Sequence, residues 1–203
     1  MLRAKQRFDS GITRIRNLDS LYIHLTSNLH LPETDVSDIL RSEVVYAVSS
    51  FDKFIHDVVR QGMVETFTGT RAATNAYRNF SISLEQLNAI QTSSNIPPPE
   101  TIFENTIAEN HKHLSFQEPD KVSAALSLIW QEAYKWQKIG ACLGKSENDV
   151  KVELKNIVMR RNQIVHEADI DLLSGQVQTI RHRDVQASVK FIDDLSNCIF
   201  NSI

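Results

Sequence analysis

Apolar residues recur along this chain at steps of three and four, and almost nowhere at steps of two. Phe8, Ile12, Ile15 and Leu18, joined by Leu21, Tyr22 and Leu25, trace one face of an amphipathic helix from Leu2 to about Leu29, and Pro32 ends it. After a start signal at Asp35, Leu40, Val44, Val48, Phe51, Ile55 and Val58 form one stripe to about Met63, a second long helix. Between Phe67 and Pro99 the pattern breaks at Gly69, Thr70, Thr74, Asn75, Asn79 and Ser81, which predicts an irregular, partly helical excursion over the surface. Within it Ser83-Leu84-Glu85-Gln86 has the form of a capping box, and beyond it Ile102, Phe103 and Ile107 suit a short helix. Val122, Leu126 and Ile129, then Tyr134, Trp136 and Ile139, mark one or two more before Gly140 and Gly144. Ser146-Glu147-Asn148-Asp149 opens a helix with Val150, Leu154, Ile157, Val158, Val165 and Ala168 on one side. Gly175 falls in a loop, and Val185, Val189, Ile192, Leu195 and Ile199 carry a last stripe to the C-terminus. The expected fold is an all-α helical bundle, one domain over 1–203, with an N-terminal helix (1–30), an irregular, partly helical insertion (67–119), and the motif and C-terminal helices (146–203).

Composition narrows the function classes. Apolar residues make up 41% and charged residues 23%, the balance of a globular protein with a real core. The formal net charge of −3 offers no global attraction to nucleic acid, so any RNA contact needs a local basic cluster. Cys142 and Cys198 lack the spacing of a disulfide framework or a zinc site and read as two separate buried thiols. No apolar run reaches membrane-spanning length and Met1 to Arg7 is not followed by a signal-type apolar stretch, so no membrane partner and a cytoplasmic location are expected. His111 and His113 diverge on a helix and have no third ligand nearby, and there is no phosphate loop or nucleophile elbow; neither metal nor cofactor is expected.

The chemistry-bearing segment is Arg160-Arg161-Asn162-Gln163-Ile164-Val165-His166-Glu167-Ala168-Asp169. Arg161 falls near the centre of the apolar stripe of its helix, where a permanent charge needs a buried carboxylate or a polar cleft. Asn162 and His166 are one turn apart on an adjacent face, whereas His166 lies about 140° from Arg161, so the two do not converge on one ideal helix.

Arg-Asn-x-x-x-His on a penultimate long helix, followed by one amphipathic helix, resembles the signature of the HEPN superfamily. The segment from Leu40 to Asp57 and the ending from Arg181 to Ile199 are similar to the branch associated with RiboL-PSP proteins, and the likeness extends over about residues 35–200. The resemblance implies a homodimer whose motif helices meet across a cleft, and a metal-independent endoribonuclease of a toxin or antiviral-defence system. An antitoxin or defence-system protein is then a possible partner. By position His166 would be the general acid/base, Arg161 the phosphate-holding cation and Asn162 an orienting group, giving a 2′,3′-cyclic phosphate and a 5′-hydroxyl. Asp52 and His56, one turn apart on the second helix, are candidates to support the cleft. Arg160, Arg71, Arg78 and Arg181 are candidate RNA contacts, and Trp130 and Trp136 read as core or interface residues. The alternatives are a non-catalytic dimer binding RNA, nucleotide or a partner protein, and a purely structural bundle in which Arg161 is neutralised inside the core and His166 only caps its helix.

Overall fold

Met1 sits against Glu65, Phe8 against Phe54 and Gly11 against Ser50, so the first two long helices run antiparallel as a hairpin. These are α1 (Leu2–Ile23), which passes into a π-helical turn at His24–Asn28, and α2 (Ser37–Phe67). The computed structural model describes residues 1–94, 96–171 and 173–203. Glycine is needed at position 11 because a Cβ there would stand 2.7 Å from Ser50 Oγ. That close approach lets Phe8, Ile12 and Ile15 reach Val44, Val48, Phe51 and Ile55, all almost fully buried.

The chain continues through α3 (Asn75–Arg78), α4 (Leu84–Gln91), α5 (Pro99–His111), α6 (Pro119–Ser127), α7 (Lys135–Leu143), α8 (Glu147–His166) and α9 (His182–Ser202). Thr74 caps α3 and Ser83 closes a full capping box on α4 with Gln86. α2 is the central element: α1, α5, α6, α8 and α9 all pack on it, and α7 bridges α8 and α9. With neighbours on several sides α2 buries fifteen of its residues, most of them apolar but Arg41, Glu43, Asp57 and Thr66 among them.

The stretch 67–119 is partly helical, as its broken pattern predicts: it holds α3, α4 and α5, of which α5 buries Phe103, Thr106, Ile107 and His111 in the core, and Phe67 stacks on Phe103 at 4.7 Å. One expectation needs correction. Cys142 and Cys198 are not separate buried thiols. Side-by-side packing of α7 and α9 brings their Cα atoms to 6.0 Å and they form a disulfide, with Cys142 on the exposed side. A separation of 56 positions hides that neighbourhood from the sequence.

Candidate active site

Ser146 starts α8, its hydroxyl accepting from Asp149 N at 3.1 Å and donating to the Asp149 carboxylate at 2.6 Å. Val150, Leu154, Ile157 and Val158 then hold one side of the helix in the core. Arg161 follows Val158 and Ile157 by three and four residues, on the same stripe but where the core gives out, and is half-buried. Its one hydrogen bond among the described residues runs from Nη1 to Asn162 Oδ1, 3.0 Å, and its buried Nε has no partner. Of the two alternatives the sequence left open, a carboxylate partner is not found among the described residues; the stripe also ends sooner than expected. Val165 is exposed, and Ala168 lies beyond the helix end at φ 51°.

The helix stops at His166 because the next residues leave the helical region, with Ala168 and Asp169 both left-handed, φ 51° and 58°. Asp169 is held there. Its amide donates to Gln163 O at 3.0 Å, its carbonyl accepts from Gln178 N at 2.7 Å, and Ile170 pairs with Val177 in an antiparallel bridge. Its side chain, 1% exposed, accepts from Arg41 Nε at 2.7 Å and from Arg160 Nη2 at 2.9 Å, with Arg160 Nη1 on the other oxygen. Arg41 also reaches Gln178 O and Ser37 Oγ, and Arg160 reaches Gln178 Oε1. Two adjacent arginines thus have opposite occupations. Arg160 is bound to a buried carboxylate, so its assignment as an RNA contact gives way to a structural one; Arg161 meets no such partner.

His166 is exposed in the last turn of α8, one turn beyond Asn162. The helix remains α to that point, so the angular separation of about 140° between Arg161 and His166 persists. Asn162, hydrogen-bonded to Arg161 and one turn from His166, stands between them.

The other candidates fall elsewhere. Asp52 accepts from Phe116 N at 2.6 Å, and His56 bonds Leu114 O at 3.2 Å while its ring packs 4.3 Å from Phe116. Both fasten the turn after α5, about three and four helical turns along α2 from Arg41, and neither bonds Arg161. Beside them His111 is buried, and burial together with the neighbouring His56 pushes its pKa down. Arg71 donates to Glu65 at 3.0 Å and to Ile129 O, a loop fastening rather than a free phosphate contact. Arg78 on α3 and Arg181 at the start of α9 are exposed. Trp136 is a core residue donating to Pro119 O, and Trp130 packs at the core margin.

Sequence reasoning missed Asp169 and its partner Arg41. The signal was present, since Arg41 and Glu43 both interrupt the inner side of a strongly apolar helix. Glu43 is fully buried beside Asp19 and Gln186, and burial and the Asp19 charge raise its pKa to about 7.

No curated protein and no solved structure matches the chain. A family model does: that of RiboL-PSP-HEPN matches residues 9–203, which take in α8, its motif and the final helix. With an all-helical bundle and the Arg-Asn-x-x-x-His segment closing its penultimate helix, this chain belongs to the RiboL-PSP-HEPN family.

Proposed function

We propose that the chain is a metal-independent endoribonuclease that acts as a homodimer, the effector of a toxin or antiviral-defence system. The observation that carries this reading is the contrast between Arg160 and Arg161. A guanidinium that merely stabilised the bundle would be paired, as Arg160 is with Asp169. Arg161 instead keeps a buried Nε without a partner among the described residues, five residues before an exposed histidine. Leaving a buried donor unsatisfied costs about 1–3 kcal/mol, a cost that binding a phosphate oxygen recovers.

In this reading the His166 imidazole takes the proton of a ribose 2′-hydroxyl, the 2′-oxygen attacks the adjacent phosphorus, and the bond from phosphorus to the 5′-oxygen breaks. The proton leaves on that 5′-oxygen. Arg161 offsets the charge that builds on the non-bridging oxygens, and Asn162 orients the guanidinium. The products are a 2′,3′-cyclic phosphate and a 5′-hydroxyl end.

A second copy answers the divergence of Arg161 and His166, because a facing helix brings the partner's motif toward this one. The outward side of α8 suits such a meeting: Val152 and Met159, 46% and 56% exposed, precede His166 at seven-residue steps on one stripe. Residence in the cytoplasm, with its RNA, and restraint by an antitoxin or defence-system protein belong to the same proposal.

The test is incubation of the purified protein and its His166→Ala variant with total RNA and transfer RNA in a metal chelator. Cleavage to 2′,3′-cyclic phosphate ends, reduced about 10²–10⁴-fold in the variant, supports the reading. RNA left intact at concentrations where the protein is dimeric replaces it with a non-catalytic binding module.

A further inference from the structure

Along the α1–α2 hairpin runs a groove that the motif does not use. One cavity of about 330 Å³ is lined by Arg7, Gly11, Arg14, Tyr46, Ser50 and Lys53, and a neighbouring one of about 350 Å³ shares Gly11, Arg14, Tyr46 and Ser50 with it. The other side of Tyr46 lines a third cavity of about 400 Å³, together with Arg41, Ile164, Ala168 and Asp169 at the end of the motif helix. Tyr46 therefore joins the groove to the segment that carries His166. It is 56% exposed, unusual for an aromatic ring on the central helix of the bundle.

The groove is basic although the protein is acidic overall. Asp57, 1% exposed, accepts from Lys53 at 2.6 Å and Arg7 at 3.3 Å, cations that keep more than half of their side chains exposed, and from Arg60 at 2.7 Å, which also pairs with Glu104 outside the groove. Arg14 is exposed and forms no ion pair among the described residues. Arg7, Gly11 and Arg14 share one face of α1, and at Gly11 the Ser50 hydroxyl of α2 comes up between the two arginines to form the floor. A line of cations beside an exposed aromatic ring, with the hydroxyls of Ser49 and Ser50 on the wall, is the combination that binds a single strand: phosphates on the basic side, a base stacked on the ring.

We propose that this α1–α2 groove is the track on which single-stranded RNA approaches the α8 motif, with Tyr46 stacking a base and Arg7, Arg14 and Lys53 holding phosphates. The proposal deepens the nuclease reading and rests on it for the direction of the strand, but binding and cleavage separate the two. Binding of a fluorescent single-stranded oligoribonucleotide is measured by anisotropy across a salt series. It is done in the full chain with His166→Ala to prevent cutting, alone and combined with Tyr46→Ala, Arg14→Gln or Arg14→Gln/Lys53→Gln. Lys121→Gln on α6 controls for the loss of a surface charge.

The track predicts affinity lower by about tenfold for Tyr46→Ala, and a salt slope shallower by about 0.7 for each cation removed, with the control unchanged. On a cleaving background the same groove variants raise KM and leave kcat within about twofold. Weakened binding in a protein that cuts no RNA supports the track and removes the nuclease. Unchanged binding in a protein that still cuts overturns the track alone. A Tyr46→Ala variant that turns the protein monomeric with unchanged RNA affinity also overturns it, assigning the groove to a second copy instead.

Discussion

Arg41 and Asp169 stand 128 positions apart and meet at 2.7 Å, joining the start of the central helix to the turn that ends the motif helix. Arg160 grips the same carboxylate from the motif helix itself. The left-handed backbone of Asp169 is thus fixed from three directions, and the end of α8, with His166 three residues upstream, inherits that rigidity. Asp169 acts on the site through geometry alone.

Asp169→Asn keeps a residue that tolerates φ 58° but removes the charge, leaving Arg41 and Arg160 without their counter-ion. Chemical denaturation should show a loss of about 3 kcal/mol. Asp169→Ala should lose about 1 kcal/mol more, because alanine resists the left-handed region. Equal stabilities for the two variants would mean that the backbone there is not strained.

How much of this was legible beforehand follows from what each feature depends on. The long helices α1, α2, α8 and α9 could be read because each carries an apolar stripe at helical spacing, widened on α2 by its several neighbours, and that spacing is a local property. So could the family, carried by a hexapeptide and its position before the last helix. The clamp on Asp169 and the bond between Cys142 and Cys198 could not, since both need partners brought together only by packing. The separate roles of Arg160 and Arg161 were hidden for the same reason: neighbours in sequence, they point about 100° apart, one toward Asp169 and one toward the edge of the core.

The buried Glu43 carboxyl makes stability depend on pH. Its folded pKa of about 7 exceeds the ordinary 4.5, so the folded chain holds a proton that the unfolded chain releases as pH rises between those values. Stability from this group is full below that window and falls across it. Glu43→Gln should therefore match the wild type near pH 4 and exceed it near pH 8, by on the order of 3 kcal/mol. Parallel melting-temperature profiles for the two proteins would contradict this.

The Cys142–Cys198 bond closes a long loop between α7 and α9. Reductant should lower the stability of the oxidised protein by about 3–4 kcal/mol, and Cys198→Ser should abolish that sensitivity. Peptide mapping without reductant should recover the two cysteines as one linked species.

If Arg161 and His166 work across a dimer, two inactive variants should rescue each other. Arg161→Ala and His166→Ala, unfolded together and refolded, form mixed dimers in which one copy supplies the arginine and the other the histidine. Recovery of cleavage in the mixture, at a level set by the share of mixed dimers, is expected. A mixture as inactive as its components would place both groups of each site in one chain.

The most direct test of the central claim compares the two adjacent arginines. Arg160→Ala and Arg161→Ala are measured side by side for unfolding free energy and for RNA cleavage in chelator. Arg160→Ala is expected to lose about 3 kcal/mol of stability, while Arg161→Ala folds normally and loses about 10²–10³-fold in cleavage rate. An Arg161→Ala variant that unfolds readily, or cuts RNA as well as the wild type, would contradict that claim.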